Sequence, residues 1–187
     1  MSHTDKRVEI LRSTLEIIAA NGFHGAPMSM IAERANIAMG SIYRCFESKE
    51  LLIHALRNEL EERFREEVMR EFPARRPLRE RFLHVSRIFV QHCLESPLDF
   101  RFLEQFYNSP YGVAYRRDQI LGAGILQALL EEAQREQILK LLPHTVLSAL
   151  IFGPLLCLVR DQILGFIELD QPLIDRTVEA CWDAIRH

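Results

Sequence analysis

The sequence predicts an all-α fold, with three short helices at the front and a larger helical body behind them, about nine helices in all. Three observations carry this. Apolar residues recur at spacings of three and four almost throughout the chain. No sustained period-2 alternation and no Asn-Gly or Asp-Gly hairpin turn interrupts them. Proline, serine and glycine stand where helices start and stop.

In the first segment Val8, Leu11, Leu15, Ile18 and Ala19 share one helical face, and Gly22 stands where a left-handed cap is wanted. Pro27 suits the first turn of a short helix over 28–34. Ser48 precedes a long helix from Lys49 to about Arg70. Pro73 and Pro77 bracket a break before a helix over 78–94. Ser96-Pro97 opens a helix to Tyr107, and Ser109-Pro110 opens one running to about Gln137. Pro143 begins an apolar helix and Pro172 the last, to Ile185. The natural division falls at the long helix after Ser48, giving domains of 1–50 and 51–187.

The chain has 187 residues, of which 48% are apolar and 26% charged. That suffices for a buried core, so disorder is excluded. The four cysteines, Cys45, Cys93, Cys157 and Cys181, lie far apart without a CxxC pair, which fits reduced thiols in the cytoplasm. The N-terminus lacks the apolar core of a signal peptide. The apolar run from Val146 to Val159 falls short of the roughly 20 residues of a membrane span, so no membrane partner is expected. Residues 1–76 hold 12 basic and 12 acidic side chains, so the net charge of −3 belongs to the remainder. A local basic patch is enough to bind nucleic acid, and composition leaves that class open.

From Met28 to Phe46 the pattern is helix, three-residue turn, helix. Ile31, Ala32 and Ala35 point inward from the first helix, and Ile42 and Phe46 from the second. Asn36 sits at the sharp turn, and asparagine tolerates positive φ. A helix-turn-helix DNA-binding unit needs this arrangement, and a plain helical corner shares it. The residues Gly22-Phe23, Ile31-Ala32, Ala35-Asn36-Ile37-Ala38, Gly40-Ser41-Ile42-Tyr43, Phe46 and Lys49-Glu50-Leu51-Leu52 resemble the N-terminal signature of the TetR family of transcriptional regulators. The resemblance implies an all-helical homodimer with a three-helix DNA-binding head and a larger ligand-binding and dimerisation body.

Carried over by position, the resemblance implies that Met39, Gly40 and Ser41 approach base edges of double-stranded operator DNA. Tyr43 and Arg44 then reach phosphates or bases, Lys49 meets a phosphate, and Ser29 adds a hydroxyl. Each has a plain alternative, Tyr43 packing beside Phe46 or Lys49 on a solvated face. Four positions depart from the family pattern: Ala26, Asn36, Ala38 and Cys45, where Thr, Gly, Ser, and His or Tyr are common. Ala26 and Ala38 lack hydroxyls that would cap helices.

Seven of the eleven phenylalanines fall between residues 64 and 106. Core packing explains most aromatic residues in a helical body. Polar residues set among them point to a pocket for a small apolar or aromatic effector, and the candidate lining is Phe64, Phe89, His92, Phe102, Gln105, Phe106 and Phe152. His84, Arg87 and Gln91 share a face. No HxxxH, HExxH or Cys/His cluster suggests a metal, and nothing suggests a cofactor.

The helix after Pro143 is apolar almost all round, so it must be covered on both sides, either by its own chain and a second subunit or within the buried core of a monomer. The resemblance implies a homodimer through the last two helices, which a charge at Leu155 or Ile174 should disrupt. No nucleophile–base pair, phosphate loop or carboxylate pair stands out, so an enzyme is not expected, and Gly122-Ala123-Gly124 is not a dinucleotide fingerprint. The reading is a ligand-responsive DNA-binding repressor; the alternative is a helical ligand-binding or interaction protein whose head has lost DNA.

Overall fold

The computed structural model describes residues 3–113 and 125–187, and every regular element in them is an α-helix apart from one isolated bridge between Leu139 and Arg186. The helices are α1 (His3–Asn21), α2 (Met28–Arg34), α3 (Met39–Cys45), α4 (Lys49–Arg70), α5 (Leu78–Glu95), α6 (Pro97–Tyr107), α7 (Ile125–Arg135), α8 (His144–Ile163) and α9 (Gln171–Ile185). Of the helix expected from Pro110 to about Gln137, the structure gives an opening turn at 110–113 and then α7. Residues 114–124, with Gly122-Ala123-Gly124, lie outside the described residues.

Two units emerge: Met1–Arg63 with Pro97–Val113, and Phe64–Ser96 with Ala114–His187. In the first, α1 packs on α2, α3 and α6. Its buried face is Ile10, Leu11, Leu15, Ile17, Ile18 and Ala19. Val8, expected on that face, is instead 54% exposed. The stripe begins at Ile10, and Val8 lies two positions earlier, about 200° round the helix. Gly22 closes α1 with φ +72° and its N–H on the Ile18 carbonyl at 2.8 Å. Asn36 takes φ +51° at the turn between α2 and α3. Ser48 caps α4 by accepting from the Leu51 N–H at 3.1 Å.

In the second unit α9 packs on α8 and α5, while α5 also meets α7 and α8. Phe82 and Trp182 tie α5 to α9 with ring centroids 5.1 Å apart. Charged pairs lace the same helices: Arg87 to Asp175 at 2.6 Å, Arg79 to Glu179, and Arg81 to Glu132 across α5 and α7. Asp170 caps α9 by accepting from the Leu173 N–H at 2.8 Å.

Helix α8 corrects two expectations. The apolar run from Val146 to Val159 is itself too short for a membrane span, but flanking residues extend the helix to 20 residues. By length and composition it is long and apolar enough to cross a bilayer. Leu155 and Ile174, expected between subunits, are buried in the chain's own core at 1% and 8% exposure. They sit on the inner faces of α8 and α9, so a charge there disrupts the core first. The uncovered stripe of α8 runs through Val146, Ala149, Gly153 and Cys157.

Candidate functional site

Helix α3 is seven residues long and buries one of them, Ile42, completely. Helix α3 packs on α2, where Ile31 and Ala32 are also buried, as are Ala35 just beyond α2 and Phe46 just beyond α3. That anchoring turns the other face of α3 to solvent. Met39 is 37% exposed and Tyr43 48%, and Gly40 and Arg44 are exposed as well. Ser41 is half-buried and its hydroxyl accepts from Arg44 Nη2 at 2.8 Å. Ser29 is exposed on α2. A Cβ added at Gly40 would meet nothing within 4 Å, so packing within the chain does not require glycine there.

Lys49 differs from a free surface cation. Its ammonium donates to the Phe23 carbonyl oxygen at 2.5 Å, and burial holds its pKa below the usual lysine value. Neither α2 nor α3 has a side-chain cap at its N-terminus, where Pro27 and Ala38 stand. Most other cations of this unit are paired with carboxylates: Arg12 with Glu9 and Glu16, Arg34 with Glu16, Arg7 with Glu59 and Arg63 with Asp99.

The seven residues expected to line one effector pocket fall into two groups. Phe102 and Phe106 belong to the first unit and are fully buried. They stack 6.2 Å apart, with Phe23 against Phe102 and His54 against Phe106. Gln105 beside them donates to the Ala19 carbonyl at 3.4 Å. Phe64, Phe89, His92 and Phe152 belong to the second unit and are half-buried. Phe89 stands between Phe64, at 5.9 Å, and Phe152, at 4.9 Å, and the His92 ring lies 5.4 Å from Phe64. His92 Nδ1 lies 2.7 Å from Glu67 Oε2, so the ring and the carboxylate share a hydrogen bond. A separate groove of about 250 Å³ is lined by His84, Arg87 and Gln91, the face noted in the sequence, with Glu71, Ile88, Gln171 and Ile174.

Sequence reasoning missed two features. Glu67 stands 25 residues before His92 on another helix, and nothing in local spacing links them. In the first unit the buried Arg57 pairs with Glu61, which also accepts the Tyr107 hydroxyl. Burial and the Glu61 carboxylate push the Tyr107 pKa well above its ordinary value, so the phenol stays protonated and donates. The four-residue spacing of Arg57 and Glu61 was a visible signal of that pairing. Among the described residues no group of His, Cys, Asp and Glu is placed to hold a metal ion.

Comparison with known proteins agrees with this architecture. The chain is 43% identical over 58 residues to the HTH-type transcriptional repressor KstR of Mycolicibacterium smegmatis, a match covering 30% of this chain. It spans 28% of that relative's length. A TetR family transcription regulator from Marinobacter aquaeolei superposes with a TM-score of 0.84 at 24% identity, over 98% of this chain and 96% of the other. A TetR-family transcriptional regulator from Haemophilus influenzae does so with a TM-score of 0.82 at 21% identity, over 98% of each. At such identities the likeness concerns the fold. Residues 77–186 match the tetracyclin repressor-like C-terminal domain, and residues 10–56 match the bacterial regulatory proteins of the tetR family. With both regions matched in order along one chain, this protein belongs to the TetR family.

Proposed function

We propose that the protein is a ligand-responsive DNA-binding transcriptional regulator, a repressor acting in the cytoplasm as a homodimer. The observation that carries the reading is the solvent face of α3. An anchored two-turn helix offers Met39, Gly40, Tyr43 and Arg44 outward, with an open glycine where no neighbour demands one. A bare glycine lets DNA come close to the backbone. In this reading residues 1–50 form the head, with Ser29, Ser41 and Lys49 completing the contacts, and 51–187 form the body.

Dimerisation through α8 and α9 is supported by the uncovered stripe of α8. Val146, Ala149, Gly153 and Cys157 all stay exposed along it. An apolar helix left open on one side finds its cover in a partner. A Cβ at Gly153 would meet nothing within 4 Å, so that position also permits close helix approach.

The effector is a small apolar or aromatic molecule, held at the half-buried rings of Phe64, Phe89 and Phe152. It acts by population shift, favouring a body conformation in which the two recognition helices no longer fit successive major grooves. By linkage, DNA must weaken the effector as much as the effector weakens DNA. Fluorescence anisotropy with the DNA upstream of the protein's own gene tests the reading. Saturable, competitor-resistant binding is expected. Binding no tighter than to scrambled DNA would favour the competing view, a ligand-binding protein with an idle head, which the paired cations and missing caps support.

A further inference from the structure

Three buried polar atoms of the second unit lack a hydrogen-bond partner: Arg81 Nε, Ser148 Oγ and His92 Nε2. His92 Nδ1 is engaged by Glu67, but His92 Nε2 is buried and has no hydrogen-bond partner. A buried ring nitrogen without a partner is unfavourable, and native structures pair such atoms with protein, water or ligand. Here the nitrogen belongs to a ring that touches Phe64, which joins Phe89 and Phe152 in a run of edge-on contacts. These rings are half-buried, unlike the sealed Phe102 and Phe106. Half-buried apolar rings around an unsatisfied polar atom are what a small-molecule site presents to its ligand.

We propose that His92 Nε2 is the polar anchor of the effector site, and that it selects a neutral aromatic or alicyclic molecule carrying one hydroxyl group. The inference rests on the reading of the aromatic cluster as the effector site. Two arguments fix the hydroxyl. With Glu67 holding Nδ1, Nε2 donates if the ring is charged and accepts if it is neutral, and a hydroxyl serves either way. A carboxylate would lie about 7 Å from the Glu67 carboxylate across the imidazole, among apolar rings that screen poorly. The apolar body of the ligand lies against Phe64, Phe89 and Phe152. Glu67 is then a positioning residue: it orients the ring and never touches the ligand.

The test titrates the full-length protein with three matched probes: biphenyl, 4-phenylphenol and biphenyl-4-carboxylate. Affinity is read by calorimetry and by thermal shift. The phenol is expected to bind about tenfold more tightly than biphenyl, and the carboxylate more weakly than either. His92→Phe should keep biphenyl binding and abolish the phenol's advantage. Glu67→Gln should shrink that advantage and narrow the gap between phenol and carboxylate, a change that loss of packing alone would not produce. Biphenyl and phenol binding equally, or a carboxylate preferred over both, overturns the hydroxyl proposal and leaves the aromatic effector site standing. If no probe binds the wild type, both fail, and the nitrogen is satisfied by water only.

Discussion

Lys49 at the start of α4 donates its ammonium proton to the main-chain carbonyl of Phe23, just beyond α1. One side chain thus joins two segments of the first unit that are 26 residues apart. Phe23 in turn lies against Phe102 and Tyr111. The cation implied to meet a phosphate is therefore also a structural tie.

Lys49→Ala should for that reason change two quantities. The Phe23 carbonyl loses a charged donor, so stability falls by about 1 kcal/mol. Operator affinity falls alike for all sequences, and the salt slope shrinks by about one unit per lost contact. Urea unfolding and anisotropy over a salt series measure the two effects. An unchanged unfolding midpoint would remove the tie from consideration.

Gly40→Ala should act with opposite signs on folding and on DNA. Alanine gains about 0.5–1 kcal/mol within a helix, and the added Cβ meets nothing inside the chain. Operator binding should weaken by tenfold or more where that methyl meets the duplex. Tyr43→Ala should cost DNA affinity and lower the melting temperature only slightly, since about half of Tyr43 is open to solvent. If Gly40→Ala binds DNA as tightly as the wild type, α3 is not the reading helix.

The proposed subunit interface is best probed at Gly153 and Ala149. Gly153→Arg or Ala149→Glu should yield a folded monomer, because both positions face outward on α8. Leu155→Asp should unfold the second unit, as expected for a charge in a close-packed core. Sedimentation velocity combined with circular dichroism separates the outcomes. A wild-type monomer at micromolar concentration would remove the dimer.

Acid should loosen the clasp between α5 and α9. The Arg87 hydrogen bond holds the Asp175 carboxyl below its ordinary range, as Arg81 does for Glu132. A carboxylate with a depressed folded-state pKa binds fewer protons folded than unfolded. Its stabilisation is therefore complete above the ordinary carboxylate range and is lost as pH falls through the depressed value, below about pH 4. Asp175→Asn should flatten that part of the melting-temperature profile and leave the neutral region nearly level, since the carboxylate is fully ionised there in both states. An identical acid slope in the variant would contradict the assignment.

Much of this was legible beforehand because it is local. Gly22, Asn36, Ser48, Pro97 and Pro143 mark helix ends through φ preference, missing donors or capping, and each stands at such an end. Ile31, Ala35, Ile42 and Phe46 were readable as inward because three- and four-residue spacing fixes a face. Spacing alone does not say which helix a face meets. So Phe102 and Phe106 could not be told from Phe64 and Phe89 in sequence, although they enter different units. The Glu67–His92 contact was hidden for the same reason. Leu155 was misplaced because an all-apolar helix has no polar stripe to mark its outer side, and small residues such as Ala149 and Gly153 mark it only weakly.

The bare start of α3 also bears on motion. At Ala38 the Ser41 and Ile42 N–H groups share the main-chain carbonyl alone, with no hydroxyl to pin the first turn. A two-turn helix so begun belongs to the least protected part of its unit, fraying while α1 remains closed. Its amide hydrogens should exchange with deuterium well before those of Ile10 to Ala19. Any partner that grips α3 would then slow that exchange locally, so the helix reports its own occupancy.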